Sequence, residues 1–183
     1  MKLSVVIPCY NEEDNIRELV QAFVDAGFEA AVSGGFELVL VDNGSRDGTA
    51  HEIALQAAQH TFVKQAAVAV NEGYGYGITQ GLAVAAGDFV GWMHADLQTL
   101  PEEFLAFLKA YDAGECSADR TKAVFARGLR RNRPWLDSII TFGMGCYESV
   151  LFGTKMFDIN AQPTVMNREI YESWSNPPKD FSL

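Results

Sequence analysis

The chain has 183 residues, 48% of them hydrophobic and 21% charged, with 14 lysines and arginines against 24 acids and a formal charge of −10. That length suits one compact domain, the composition excludes disorder, and the acidic balance argues against duplex nucleic acid, whose phosphates need a basic face. No run approaches the roughly 18–20 apolar residues of a membrane span, the N-terminus is too short and too β-like for a signal peptide, and three scattered cysteines without a CxxC pair exclude a disulfide scaffold or zinc knuckle and fit a reducing cytosol.

Residues 3–7 form a short apolar run closed by Pro8, the pattern of a strand buried on both faces. Beyond Asn11, the spacing of Ile16, Leu19, Val20, Phe23 and Val24 predicts a helix capped by Asn11 or a neighbour and stopped at Gly27. Residues 37–41 (ELVLV) predict a second strand with Asp42 at its carboxyl end, and Thr49 is the expected cap of a helix through His60. A weaker strand over 67–70 leads into a glycine-rich turn and a helix over 76–86. A fourth strand over 88–93 ends at His94-Ala95-Asp96, and Pro101, as the first helical residue, opens a helix to about Tyr111. Past residue 115 the pattern weakens to a strand over 124–126, a basic loop, an apolar stretch over 139–152 and a short helix from Arg168.

Strands alternating with helices predict an α/β fold with a mainly parallel central sheet flanked by helices on both faces. Ligands of such sheets bind outside the carboxyl ends of the strands. Those ends carry residues 8–12, 42–47, 71–77 and 94–98, which places the site there.

The glycines of Asn71-Glu72-Gly73-Tyr74-Gly75-Tyr76-Gly77 alternate and follow the third strand, unlike a dinucleotide fingerprint. A tight turn is the plainer reading. Two strand-end acids, Asp42 and Asp96, are more informative. Asp96 and Gln98 offer a carboxylate and an amide oxygen two residues apart, suited to one hard cation such as Mg²⁺ or Mn²⁺. Residues 120–133 carry Arg120, Lys122, Arg127, Arg130, Arg131 and Arg133 without an acid, a candidate anion site on an acidic protein.

SVVIPCYNEE (4–13), VDNGSRDGT (41–49) and WMHADLQ (92–98) together resemble the signature blocks of family-2 glycosyltransferases with the Rossmann-like GT-A fold. DINAQP (158–163) is similar to a segment of the branch that includes dolichyl-phosphate mannose synthase and other polyprenyl-phosphate glycosyltransferases. The resemblance implies that Pro8, Tyr10, Asn11 and Glu12 hold the nucleotide's base and ribose, and that Asp42 also contacts the base. It implies that Ser45 and Asp47 stabilise that loop, that His94, Ala95 and Asp96 meet the nucleotide sugar, and that Asp96 and Gln98 bind the metal on the donor diphosphate. Arg127, Arg130, Arg131 and Arg133 correspond to arginines that bind a lipid phosphate. Asp180 is the candidate for the acid that acts as base in other branches, with a helix-cap acid as the plain alternative.

The sequence departs from the family at three places. His94 replaces the first acid of the usual Asp-x-Asp, Pro134 replaces an acid, and family members continue beyond the point where this sequence stops. The expectation is one catalytic domain over 1–183 that lacks the family's C-terminal part. Its expected activity is an inverting transfer of a hexose from a GDP- or UDP-sugar to a polyprenyl phosphate, at the cytoplasmic face of a membrane surface. A sugar or protein hydroxyl as acceptor, or a non-catalytic nucleotide-sugar-binding module, are the alternatives.

Overall fold

The computed structural model describes residues 1–116, 123–128 and 161–180. The basic residues Arg120, Lys122, Arg130, Arg131 and Arg133, and the apolar stretch 139–152, lie outside them. Strands β1 (Leu3–Cys9) and β2 (Phe36–Asp42) are buried along almost their whole length, as their unbroken apolar runs require. They pair in parallel with Cys9 opposite Asp42. β3 (Val63–Ala67) flanks β2, and β4 (Phe89–Trp92) lies on the other side of β1 with Trp92 opposite Val6. β6 (Thr164–Asn167) runs antiparallel between β4 and β5 (Phe125–Arg127), completing the order β3-β2-β1-β4-β6-β5. The chain reverses its direction of winding between β1 and β4, which makes their carboxyl ends the switch point where α/β sheets take ligands.

Helices α1 (Ile16–Asp25), α2 (Phe28–Ala31), α3 (Thr49–Gln59) and α5 (Glu102–Asp112) accompany one face of the sheet. There Leu3, Val5 and Ile7 of β1 meet Leu19 and Phe23, Ile53, and Phe104 and Leu108. Helices α4 (Tyr74–Val84) and α6 (Arg168–Glu172) cover the other face, where Val6, Val39, Val90 and Met166 pack with Ile78 and Leu82.

Several boundaries differ from expectation. α1 starts at Ile16 after Asn15, while Asn11 occupies a left-handed turn (φ 56°) four residues earlier, and Val24 is solvent-facing. Thr49 is the first residue of α3 and Gly48 its N-cap, while Asp47 Oδ1, just before it, accepts from the Thr49 backbone N–H (3.0 Å) and hydroxyl (2.6 Å). The third strand lies over 63–67 rather than 67–70, because an edge strand with exposed Lys64 and Gln65 lacks a continuous apolar signal. Pro101 stands one residue before α5, and α4 begins two residues earlier than expected. β6 and the short α2 have no counterpart in the sequence reading.

The sheet's opposite edge is tied by Glu37, which is 5% exposed. Its carboxylate accepts the Ser4 hydroxyl (2.6 Å) and the Ala86 N–H and pairs with Lys2 Nζ (2.9 Å). Ser4 Oγ accepts the Gly87 N–H (2.7 Å), and Arg168 donates to the carbonyls of Gly87 (2.8 Å) and Ala85 (2.6 Å). One buried acid thus joins β1, β2 and the turn before β4, and Arg168 of α6 holds the same turn by its carbonyls. Burial alone pushes the Glu37 carboxyl up, but the hydrogen bonds from Ser4, Ala86 and Lys2 and the Lys2 charge outweigh it and hold it below the usual glutamate range. A depressed carboxylate stabilises the fold above its unfolded pKa, and that contribution is lost as pH falls through the folded value. Glu37→Gln is therefore expected to cost about 1–3 kcal/mol near pH 7, with a deficit that shrinks in acid. Urea unfolding of both proteins across a pH series checks this; a deficit independent of pH contradicts it.

Candidate functional site

Two loops follow β1 and β2, and hydrogen bonds lace them together. Asn11 N–H donates to Ser45 Oγ (3.1 Å), and Arg46 N–H donates to Asn11 Oδ1 (2.9 Å). Glu12 N–H reaches Thr49 Oγ1 (2.8 Å), and Gly48 N–H reaches Glu13 Oε2 (2.5 Å). Ser45 Oγ also donates to the Cys9 carbonyl (3.3 Å), while Ser45 N–H donates to Asp42 Oδ1 (2.9 Å). The sequence blocks 4–13 and 41–49 therefore form one unit. The carboxylate of Asp47 takes part through Thr49 and the Glu13 N–H (3.4 Å), which holds it below the usual aspartate range.

This unit brings Pro8, Tyr10, Asn11, Glu12, Asp42, Ser45 and Asp47 to the carboxyl end of β1 and β2. Pro8 is buried, Tyr10 is exposed, and Glu12, Asp42 and Ser45 are half-buried. Burial first, then the carboxylates of Glu12 and Asp42, push the Cys9 thiol well up, so it stays a neutral thiol and no nucleophile.

The third segment arrives at the end of β4. Ala95 is buried, His94 half-buried and Asp96 exposed. Leu97 adopts φ 56° between Asp96 and Gln98, and the Gln98 N–H donates to Asp96 Oδ1 (3.0 Å). The two-residue spacing noted in the sequence thus closes a backbone turn around the acid. No group of three His, Cys, Asp or Glu side chains gathers as a metal cage among the described residues. One exposed carboxylate at a strand end fits instead a Mg²⁺-type ion that takes most of its ligands from a bound diphosphate and water.

His94 is the family departure, and the structure gives it specific neighbours. Its ring stacks on Tyr74 at 4.4 Å, while its backbone N–H, which any residue but proline would offer here, donates to Gln162 Oε1 (2.7 Å). Gln162 Nε2 donates in turn to the Tyr74 hydroxyl (3.2 Å). Burial pushes the Tyr74 phenol up, the Gln162 hydrogen bond opposes this, and Asp96 and Cys9 add to the rise, so the ring is a neutral partner within reach of Asp96's charge.

The glycine-rich segment proves to be the first turn of α4. Gly73 takes φ 123°, where a Cβ would lie 2.2 Å from the Lys179 carbonyl oxygen, and one on Gly77 would lie 2.8 Å from Pro8 Cβ. Segment 175–180 crosses this turn: Gly75 N–H donates to the Asp180 carbonyl and Tyr76 N–H to the Lys179 carbonyl, both at 2.9 Å. Lys179 pairs with Glu72 (2.5 Å) and sits over the Tyr76 ring (4.9 Å). Asp180 is thereby held beside the first turn of α4, exposed, with its backbone carbonyl accepting the Gly75 N–H. Arg127 ends β5, level with Trp92 across the sheet.

Tyr74, Gln162 and Asn43 had no assigned role in the sequence reading. Asn43 is 3% exposed and donates from Nδ2 to the Gly73 carbonyl (3.1 Å), joining the second loop to α4. Its place inside VDNGS is the available signal, as are the places of Tyr74 in the glycine-rich stretch 71–77 and of Gln162 in DINAQP; their contacts with His94, 20 and 68 residues away, have no local pattern.

The glycosyl transferase family 2 model matches residues 4–173. An undecaprenyl-phosphate 4-deoxy-4-formamido-L-arabinose transferase from Edwardsiella ictaluri is 40% identical over 114 residues, covering 61% of this chain and 34% of the relative. The enzyme of the same name from Pseudomonas aeruginosa strain LESB58 is 38% identical over 132 residues, covering 68% and 38%. The chain thus spans little more than a third of the length of these relatives. A mannosyltransferase from Pyrobaculum calidifontis, solved with GDP-Man and Mn²⁺, superposes with a TM-score of 0.68 at 21% identity, over 97% of this chain and 47% of that one. At that identity it shows the shared fold.

Ser45→Ala removes the acceptor for Asn11 and the donor to Cys9, and an expected loss of about 1–2 kcal/mol follows. Arg46 contributes only its backbone N–H to the lacing, so Arg46→Ala should stay within about 0.5 kcal/mol of wild type. Equal losses in chemical denaturation would contradict the lacing.

Proposed function

The chain belongs to glycosyl transferase family 2, and on that premise we propose that it forms the donor-binding catalytic unit of an inverting transferase acting on a polyprenyl phosphate. The observation that supports this reading is that Glu12, Asp42 and Asp96 all follow the carboxyl ends of the neighbouring strands β1, β2 and β4, at the β1/β4 switch point. The names of the relatives, with undecaprenyl phosphate as acceptor, support the lipid; the GDP-Man and Mn²⁺ bound to the Pyrobaculum enzyme support a nucleotide-sugar donor with a divalent ion.

In this reading the base and ribose of a GDP- or UDP-sugar rest on Pro8, Tyr10, Asn11, Glu12 and Asp42, with Ser45 and Asp47 holding the loop. His94, Ala95 and Asp96 face the sugar diphosphate. Asp96, with Gln98, would hold Mg²⁺ or Mn²⁺, which supplies positive charge to the diphosphate as it leaves. A phosphate oxygen of the acceptor forms the new bond to the anomeric carbon from the opposite side, and the bond to the nucleoside diphosphate breaks. A lipid phosphate is already anionic near neutral pH, so this attack needs no strong base. Arg127, with Arg130, Arg131 and Arg133, would take the acceptor phosphate and meet an anionic membrane surface at about 1 kcal/mol per basic residue. No helix among the described residues is long and apolar enough to cross a membrane, and the proposed place of action is the cytoplasmic membrane face.

A hydroxyl acceptor is a second reading, favoured by the hold of α4 on Asp180, which would then act as base. Transfer of radiolabelled sugar by the full-length gene product distinguishes the two. We expect transfer to undecaprenyl phosphate that requires Mn²⁺ or Mg²⁺, falls at least a hundredfold in Asp96→Ala and changes little in Asp180→Asn. No transfer from any common nucleotide sugar would overturn the proposal. Loss in Asp180→Asn with a hydroxyl acceptor would replace it by the second reading.

A further inference from the structure

The ladder between β4 and β6 ends where a side chain takes over from the backbone. Asn167 N–H donates to the Val124 carbonyl and Gly128 N–H to the Pro163 carbonyl, so the odd-numbered positions of β6 bond toward β5. The even-numbered positions bond toward β4, in step with the Arg168 N–H that donates to the Asp88 carbonyl. Trp92 faces Thr164 in this register, and the next hydrogen-bonding pair beyond it is His94 with Gln162. There Gln162 Oε1 accepts the His94 backbone N–H at 2.7 Å, a side-chain amide standing where the ladder would offer a backbone carbonyl. β4 accordingly stops at Trp92.

This exchange lets the chain leave the sheet while it stays held. A further backbone pair would carry the strand on in the sheet, whereas an amide on its own stem satisfies the His94 N–H and leaves the residues after it free to turn. The turn follows at once: Leu97 takes φ 56°, and the Gln98 N–H closes on Asp96 Oδ1. The other end of the same amide is engaged as well. Gln162 Nε2 donates to the Tyr74 hydroxyl (3.2 Å), and the Tyr74 ring stacks on His94 (4.4 Å). Gln162 therefore meets His94 twice, at its backbone directly and at its ring through Tyr74. Only a side chain with an acceptor and a donor at this reach makes both contacts in this form. Both act two residues before Asp96, whose exposed carboxylate takes its position from the backbone that carries it.

We propose that Gln162 is a positioning residue of the transfer reaction, which sets where the Asp96 turn leaves β4 and thereby how well Asp96 grips the divalent ion on the donor diphosphate. Gln162 touches neither the ion nor the nucleotide; it acts through the His94 backbone and Tyr74. The inference rests on the role given to Asp96 above and adds a residue to which that reading assigns no part.

Calorimetric titration of the whole chain with UDP and with GDP, each with and without Mn²⁺, tests it. Gln162→Met keeps the length of the side chain and loses the amide. It should reduce the tightening by Mn²⁺ about tenfold and leave affinity without the ion within about twofold of wild type. Gln162→Asn keeps the amide and loses its reach, and it should behave alike. Gln162→Glu should recover most of the loss, because one carboxylate oxygen still accepts the His94 N–H and the Tyr74 hydroxyl can donate to the other. Gln65→Met, the same change at an exposed position of β3, should alter neither affinity. Circular dichroism shows which variants are folded, and Gln162→Asn carries the test if Gln162→Met is not. An unchanged gain from Mn²⁺ in the folded variants, an equal loss with and without the ion, or a Gln162→Glu protein as weak as Gln162→Met would overturn the role of Gln162 and leave the transferase reading standing. No gain from Mn²⁺ in the wild type would instead remove the ion-binding role of Asp96, and that of Gln162 with it.

Discussion

The lacing between the loops after β1 and β2 is the constraint on which the rest of the site depends. Parallel pairing sets Cys9 beside Asp42, so both loops leave the sheet at one level. Neither loop is regular, and each carries backbone N–H groups that no ladder can satisfy. Ser45, Thr49, Asn11 and Glu13 satisfy them from the opposite loop. Ser45 and Asp47 thus hold the loops together by hydrogen bonds within the unit. At the edge the carboxylate of Asp42 accepts the Ser45 N–H and that of Glu12 accepts Asn15 Nδ2 (2.5 Å), so both are oriented by the two loops themselves.

A second set of contacts fixes the other half of the edge. Asn43 joins the laced loops to Gly73, and segment 175–180 closes over the first turn of α4. Tyr74 leaves that turn to stack on His94, and Gln162 connects both to β6. Exchanging a carboxylate for His94 removes one negative charge from the strand end and adds a ring that needs a partner. Tyr74 supplies it. Asp96 is then the one carboxylate of the 92–98 segment.

Much of this was readable before the structure. The buried runs of β1 and β2 and the helical spacing of α1 depend on nearest neighbours and burial, which a sequence displays. The strand-end acids follow from the same reading, since polar residues directly after an apolar run must leave the sheet. Other elements depend on partners far along the chain. Thr164–Asn167 becomes a strand because β4 and β5 flank it, not because its four residues carry a turn signal. The third strand slid by four residues, since Lys64 and Gln65 face solvent on an edge. Thr49 lies inside α3 rather than at its cap, and the Asp47 carboxylate before the Gly48 cap reaches both its amide and its hydroxyl. The stacking of Tyr74 on His94 and the bridging of both by Gln162 have no local pattern at all. They arise only when three separate connections meet at one sheet edge.

The central claim is that the laced loops and the Asp96 turn grip different parts of one nucleotide diphosphate. Calorimetric titration of UDP and GDP, with and without Mn²⁺, into wild type, Asp42→Ala, Asp96→Ala and the double variant measures this directly. The account predicts that Asp42→Ala weakens the preferred nucleotide by the same factor with and without the ion, that Asp96→Ala abolishes the gain from Mn²⁺, and that the two effects multiply in the double variant. Full Mn²⁺-dependent tightening in Asp96→Ala, or a loss in Asp42→Ala seen only when Mn²⁺ is present, would contradict it.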